Sequence, residues 1–332
     1  MSRPAKTFVG RRSLPWRGML VVAVLALGGP AMVLTAGEAA SASTDDGGRY
    51  KGKQGQILVV KVPADETSRE ARGTFRGRTV RFFRETGPDE SKEFVGLLGI
   101  DLEDKPGTHE LAIEIEQKGG SRRLTYHVEV LKEKFRVERL TLPKDKVDLD
   151  ERSLQRWKAE QEQVKTALAD DSPIRLWRSG FAEPVSGRRT GIFGSVRIMN
   201  GQARSPHNGE DIGAPVGADV AVTNDGVVRL TVDHIFSGKG VYVDHGLGFY
   251  SMYFHLSEIL VREGDAVRAG QVIGKVGATG RATGPHLHWG VKLNGARVNP
   301  YALLELPFRG EARSAIQAPA SDVPSDMGEP AP

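Results

Sequence analysis

An alternation of apolar and polar residues with a period of two recurs along this chain, and it restricts much of the chain to half-buried β-strands. Leu111, Ile113 and Ile115 alternate with Ala112, Glu114 and Glu116. Leu124, Tyr126, Val128 and Val130 alternate with Thr125, His127 and Glu129. The same rule places Leu287, Trp289, Val291 and Leu293 on one face and His286, His288, Gly290 and Lys292 on the other. Turn signals separate the runs at Gly87-Pro88, Lys105-Pro106-Gly107 and Gly119-Gly120. Twenty of the 40 glycines fall between Phe181 and Phe308, so that segment reads as turn-rich β-structure. The expected fold class is mostly β: an N-terminal β-sandwich, a connector helix and a C-terminal antiparallel β domain.

Charge is informative only once it is located. The chain of 332 residues has a net charge of +4. Arg3, Lys6, Arg11, Arg12 and Arg17 precede an uncharged run from Gly18 to Gly37, and Glu38 is the only acid before Ala42. Residues 1–42 therefore carry the whole excess, and the remainder is neutral. This removes the charge argument for a nucleic-acid partner. A basic start, the apolar run Met19–Leu27 and Ala40-Ser41-Ala42 read as a signal peptide cleaved after Ala42. The alternative is an uncleaved membrane anchor, and only that alternative makes the membrane a partner. Both readings export the rest of the chain to the periplasm or cell envelope.

The expected organisation is a signal peptide (1–42), a polar linker (43–55), an immunoglobulin-like sandwich (56–142), a helical connector (143–180), a second β domain (181–308) and a disordered tail (309–332). Asp150 can cap a helix running to about Ala169, with Leu154, Trp157, Val164 and Leu168 as its docking stripe. In the sandwich, His127 reads as solvated and His109 as a strand-edge packing residue.

The chemistry is expected between Phe181 and Phe308. With no cysteine in the chain, any metal must be held by His, Asp or Glu. Ser205-Pro206-His207-Asn208-Gly209-Glu210-Asp211 offers two ligands that must converge through a loop. His286-Leu287-His288 offers two imidazoles on one strand face. In Phe249–Leu256, His255 joins Phe249, Ser251 and Tyr253 on the face opposite the more apolar set Tyr250, Met252, Phe254 and Leu256, and is expected at the groove floor. Two His and a carboxylate suit a catalytic zinc with one position left open. Spare imidazoles can shuttle protons or bind an oxyanion. The spacing alone does not say which residues are ligands.

These motifs, with Gly213-Ala214-Pro215-Val216-Gly217, Val243-Asp244-His245-Gly246 and Gly274-Lys275-Val276-Gly277-Ala278-Thr279-Gly280, resemble the LytM/lysostaphin-type (M23) zinc metallopeptidases in kind and order. The resemblance covers about Ala182 to Pro300. It implies that His207, Asp211 and His288 bind one Zn2+, and that His255 and His286 are the catalytic histidines. It also implies a compact β-fold with an open groove and hydrolysis of peptidoglycan stem or cross-link peptides. The sandwich resembles the accessory domains that precede such peptidases. An envelope regulator is a candidate partner, and the domain order raises autoinhibition by the sandwich or the connector helix. His234 and His245 are expected in loops or groove walls, Glu210 in solvent and Tyr253 at the core edge. Phe193-Gly194 and Asn200 are expected along the groove by family analogy. A regulatory binding module that activates other wall hydrolases and a biotinyl- or lipoyl-type carrier domain are the competing functional classes.

Overall fold

The computed structural model describes residues 48–86, 92–141, 150–169, 172–178 and 180–308. The expected signal peptide and tail lie outside the described residues. Among the described residues, no helix is long and apolar enough to cross a membrane.

The alternating segments form seven strands, β1 (Arg49–Lys53), β2 (Ile57–Pro63), β3 (Ser68–Phe75), β4 (Arg78–Thr86), β5 (Lys92–Gly99), β6 (Gly107–Gln117) and β7 (Gly120–Leu131). Their order is β1-β7-β6-β3-β4-β5-β2. The first half of β4 pairs with β3 and its second half with β5, so the chain bends between Arg81 and Phe82 and wraps around one core. Phe75, Val80, Ile100, Leu111, Ile113 and Val128 of that core are fully buried. The segment expected as a polar linker contributes β1, which runs parallel to β7 and buries Tyr50. Arg-Tyr-Lys-Gly-Lys presents only one large apolar side chain, too little for alternation to register.

β8 (Val137–Leu140) then runs parallel to β10 (Val196–Met199), which pairs in turn with β11 (Gln202–Ala203). Helix α1 (Glu151–Ala167) starts at Asp150, whose carboxylate accepts the Ser153 N–H at 2.7 Å. The remaining strands are β9 (Arg188–Gly191), β12 (Gly209–Gly213), β13 (Asp219–Ala221), β14 (Gly226–His234), β15 (Gly238–Gly246), β16 (Phe249–Ile259), β17 (Ala266–Val267), β18 (Val272–Val276), β19 (Leu287–Leu293) and β20 (Ala296–Val298). The main sheet is ordered β17-β14-β15-β16-β19-β12-β9. Mostly β architecture is the fold class expected from the alternation.

Two strands of the first sheet are apolar on both faces. In β2, Leu58, Val60 and Val62 point into the sandwich, while Ile57 and Val59 join the core of the main sheet. In β5, Phe94 and Leu98 face inward, and Val95 and Leu97 face the main sheet. A Cβ at Gly99 would stand 2.9 Å from the Leu293 carbonyl oxygen, which shows how closely the two parts approach. Asp101 accepts three hydrogen bonds from Arg297, through its backbone N–H and guanidinium, at 2.6–3.0 Å. The two β-structures therefore share a hydrophobic interface closed by a half-buried ion pair.

Candidate metal centre and groove

β12 and β19 are antiparallel neighbours, and their register sets Asp211 directly opposite His288. Side chains facing each other across such a pair have Cβ atoms about 4.5–5.5 Å apart, within reach of one shared ion. His207 enters from the loop before β12. Its Nε2 lies 3.0 Å from Asp211 Oδ1 and 3.0 Å from His288 Nδ1, and His288 Nδ1 lies 2.8 Å from Asp211 Oδ1. All three residues are buried. They form a group whose ligand atoms lie close enough to hold a metal ion. Leu287, Trp289, Val291 and Leu293, each no more than 1% exposed, anchor the opposite face of β19 as the alternation requires.

The surroundings leave room for these ligands and little else. His207 Nδ1 lies 3.1 Å from the Ile192 carbonyl, a contact that fixes the ring with Nε2 turned toward Asp211 and His288. A Cβ at Gly209 would come within 2.5 Å of His288 Nε2, and one at Gly191 within 2.2 Å of Asp211 Oδ2. Arg197 donates to Asp211 Oδ2 at 3.0 Å, so the carboxylate keeps Oδ1 for the cluster. Burial alone would raise the Asp211 carboxyl, but hydrogen bonds from His207 and His288 override it and hold it well below the usual carboxylate range. Burial pushes His288 down to about 4, against the pull of Asp211, so its ring is neutral at pH 7. A buried set of two imidazoles and one carboxylate, with glycines where side chains would collide, fits a divalent metal.

His255 reaches the groove by a route that alternation does not describe. Phe249, Ser251 and Tyr253 are the core-facing set of β16, at most 1% exposed, so the expected assignment of that face to the groove is corrected. A strict alternation would send His255 into the core as well. Instead, the pairing with β15 shifts register between Lys239 and Val241, so Phe254 and His255 together oppose Gly240, a β-bulge. His255 has φ +64°, and its ring centroid lies 4.7 Å from that of His286. His255 Nδ1 donates to the Thr279 carbonyl at 2.8 Å, leaving Nε2 as an acceptor. Burial, then the fields of His288 and His286, push it down to about 3. His286 just precedes β19; its Nδ1 bonds the Gly284 carbonyl at 2.8 Å, and its Nε2 lies 3.7 Å from Asp211 Oδ1.

Other expectations resolve differently. Glu210, expected in solvent, is fully buried. It points away from the Asp211 side and accepts from Arg189 Nε at 3.0 Å, from Arg189 Nη2 and from the Phe193 N–H at 3.2 Å. Tyr253 and His245 lie in the core, on one hydrogen-bonded chain. Thr223 N–H donates to Tyr253 Oη, which bonds Ser251 Oγ, which bonds His245 Nε2, while His245 Nδ1 donates to the Asp225 carbonyl. His234, by contrast, stands in the groove wall as expected and meets Gln163 of α1 at 3.0 Å. Arg197, Gly191 and Gly209 were not among the candidates from sequence. The glycines beside the ligands were the available signal, since a bare Arg carries none.

His207, His288 and His255 line a cavity of ≈ 920 Å³. α1 forms part of its wall through Trp157, Glu160, Val164 and Leu168. Val164 and Leu168 pack on Leu230, Val232, Tyr242 and Phe254, and Trp157 stands edge-on to Phe236 at 6.5 Å.

The sequence model of peptidase family M23 matches residues 205–300, which contain all five histidine and aspartate candidates. A solved structure from Pseudomonas aeruginosa, described as an M23 peptidase, is 33% identical with a TM-score of 0.59, and the match covers 76% of this chain and 94% of that one. The chain belongs to peptidase family M23. Two curated relatives are the peptidoglycan DD-endopeptidases ShyA and ShyC of Vibrio cholerae. ShyA is 46% identical over 95 residues, covering 29% of this chain and 22% of its own length. ShyC is 42% identical over 170 residues, covering 47% and 39%. This chain thus spans well under half of the length of either relative. The resemblance carried by the motifs and the family membership agree, and the family is one of metallopeptidases.

Proposed function

We propose that this M23 protein is an exported, zinc-dependent endopeptidase that hydrolyses D,D-peptide bonds in peptidoglycan cross-links or stem peptides in the cell envelope. The observation that carries the reading is the buried His207/Asp211/His288 cluster with His255 and His286 beside it at one end of the groove. The mixed nitrogen and oxygen donor set suits zinc better than harder cations, which favour all-oxygen shells. When bound, zinc supplies Lewis acidity at the scissile carbonyl and lowers the pKa of water.

The chain's own residues do the rest. Thr279 fixes His255 with Nε2 unprotonated, so that atom can accept a proton from the attacking water. His286, with its ring 4.7 Å away, is placed beside the developing oxyanion, and the proton taken up at His255 Nε2 passes on to the leaving amine. Arg197 holds the second oxygen of Asp211 and stops the carboxylate from rotating.

The test is metal analysis of the purified protein together with mass spectrometry of peptides released from sacculi. One zinc per chain and release of cleaved cross-link peptides are expected, with both lost in His288→Ala. A zinc-loaded protein that releases no peptides would overturn the enzyme reading. A metal-free variant that still acted in cells would favour the regulatory module instead.

A further inference from the structure

The cavity extends well beyond the metal centre along β19. Positions 288, 290 and 292 share the strand face opposite the core-facing stripe of Leu287, Trp289, Val291 and Leu293. Gly290 supplies no side chain, and Met252 of β16 fills the space over it, since a Cβ at Gly290 would stand 2.9 Å from Met252 Cε. His288, Met252 and Lys292 all line the cavity. Its floor therefore passes from the metal centre over an apolar stretch to Lys292. Four residues at about 3.4 Å each set Lys292 about 13 Å along the strand from His288.

Lys292 is half-buried, and among the described residues its ammonium makes no hydrogen bond and no ion pair. The charged groups that act on it are Arg297, its cross-strand neighbour on β20, and Asp101. Burial, then Arg297, press its pKa down, and Asp101 opposes them. Asp101 cannot serve as its acceptor. Oδ2 takes the Arg297 N–H and Nε, and Oδ1 takes Arg297 Nη2 and the Glu103 N–H, two donors on each oxygen. The Glu103 carboxylate bonds Arg297 Nη2 at 2.6 Å. The cost at Lys292 is therefore one of unmet donors: an ammonium with three N–H groups is partly withdrawn from water and faces no acceptor of this chain. A compact point cation on a flexible stem is suited to an oxyanion that arrives with a ligand.

We propose that Lys292 forms the far subsite of the groove and binds a carboxylate of the peptide substrate about four extended residues from the scissile bond. The inference rests on the peptidase reading for the identity of the ligand as a peptide, and it adds a distance requirement that the metal and histidine set does not supply. Lys292 holds the substrate and touches no reacting atom. Between the two ends Met252 makes no polar demand on the residues that span it.

The experiment uses the full zinc-loaded chain and synthetic peptides in matched pairs, one member carrying a carboxylate and the other a carboxamide in its place. The group sits on the second or the fourth residue, on either side of the scissile bond. Affinity is measured by titration calorimetry on analogues with a ketomethylene group at the scissile position, which have no amide there to hydrolyse. Cleavage of the corresponding amides is followed by mass spectrometry. A charge-assisted contact in a half-exposed groove predicts tighter binding of the carboxylate member by roughly 5- to 50-fold at the fourth residue on one side, and about equal binding elsewhere. In Lys292→Met, which keeps the apolar stem, that ratio is expected to fall to near one, and in Lys292→Arg to an intermediate value. Equal affinities within every pair, a preference confined to the second residue, or a ratio that survives Lys292→Met would overturn the subsite. The pairs compared on the unaltered chain decide the matter even if the variant fails to fold. Selective binding without cleavage would sustain the subsite and refute the peptidase reading; cleavage without selectivity would do the reverse.

Discussion

The Glu210–Arg189 pair gives a quantitative test of how the metal centre is supported. The two side chains are unequally exposed, 0% for Glu210 and 41% for Arg189. Replacing Glu210 by Gln keeps the shape and leaves a guanidinium that water can reach, so the loss is about 1.5–2 kcal/mol. Replacing Arg189 by Gln leaves an ionised carboxylate in the interior with the Phe193 N–H as its remaining donor, and breaking a buried pair from that side costs about 3–5 kcal/mol. For a folded unit of this size, 1 kcal/mol moves the thermal midpoint by about 2–4 °C. Glu210→Gln is therefore expected to lower it by about 3–8 °C and Arg189→Gln by about 6–20 °C. Calorimetry of the two variants reads the difference directly. Glu210 also anchors the Phe193 N–H, next to the Ile192 carbonyl that orients His207. Both variants should lose about tenfold in zinc affinity by equilibrium dialysis, as outer hydrogen-bond partners of metal ligands do. Equal destabilisation by the two changes, or a larger loss from Glu210→Gln, would refute the argument from unequal exposure.

Three further outcomes are expected. Gly191→Ala puts a Cβ 2.2 Å from Asp211 Oδ2, so zinc content measured by mass spectrometry should fall at least about tenfold; full occupancy would show that the carboxylate can move aside. Burial pushes His245 down to about 4 in the folded protein, so the unfolded chain binds its proton more readily, and stability should decline as pH falls from about 6.5 toward 4, by about 3 kcal/mol. Denaturant titrations of His245→Gln should lose that part of the slope, and an unchanged slope would remove His245 from the account. Trp157→Ala and Val164→Ala loosen α1 along the groove and should raise cleavage of whole sacculi more than cleavage of short soluble peptides; equal changes would mean that the helix does not limit entry.

Alternation carried the reading furthest where the strands are regular. The β19 stripe behaves as its residue pattern demands, and the His207, Asp211 and His288 positions fall together because β12 and β19 pair in the register that opposes Asp211 to His288. The reading failed where backbone geometry departs from period two. His255 meets His286 because of a one-residue bulge and a positive φ, which no hydrophobic pattern encodes. Glu210 was misplaced because its partner Arg189 lies 21 positions away on a neighbouring strand. The short strand Arg49–Lys53 was hidden for a simpler reason, having one large apolar side chain.

The shared core was equally illegible. Ile57 to Val62 and Phe94 to Ile100 are nearly continuous apolar runs, which show that a strand is buried on both faces without saying what covers the second face. Here it is the main sheet, with Asp101 and Arg297 closing the edge. The sequence by itself determined the β class, the location of the charge in the first 42 residues, and the nitrogen and oxygen donors to which a cysteine-free chain is limited. Those are properties of composition and local order along the chain. Tertiary structure alone decided which imidazoles meet, which acids are buried with partners, and that Lys292 lines the same groove as His207. Such juxtapositions depend on strand register and on loop closure between distant segments, and the free energy that fixes them comes from packing the whole domain rather than from any motif.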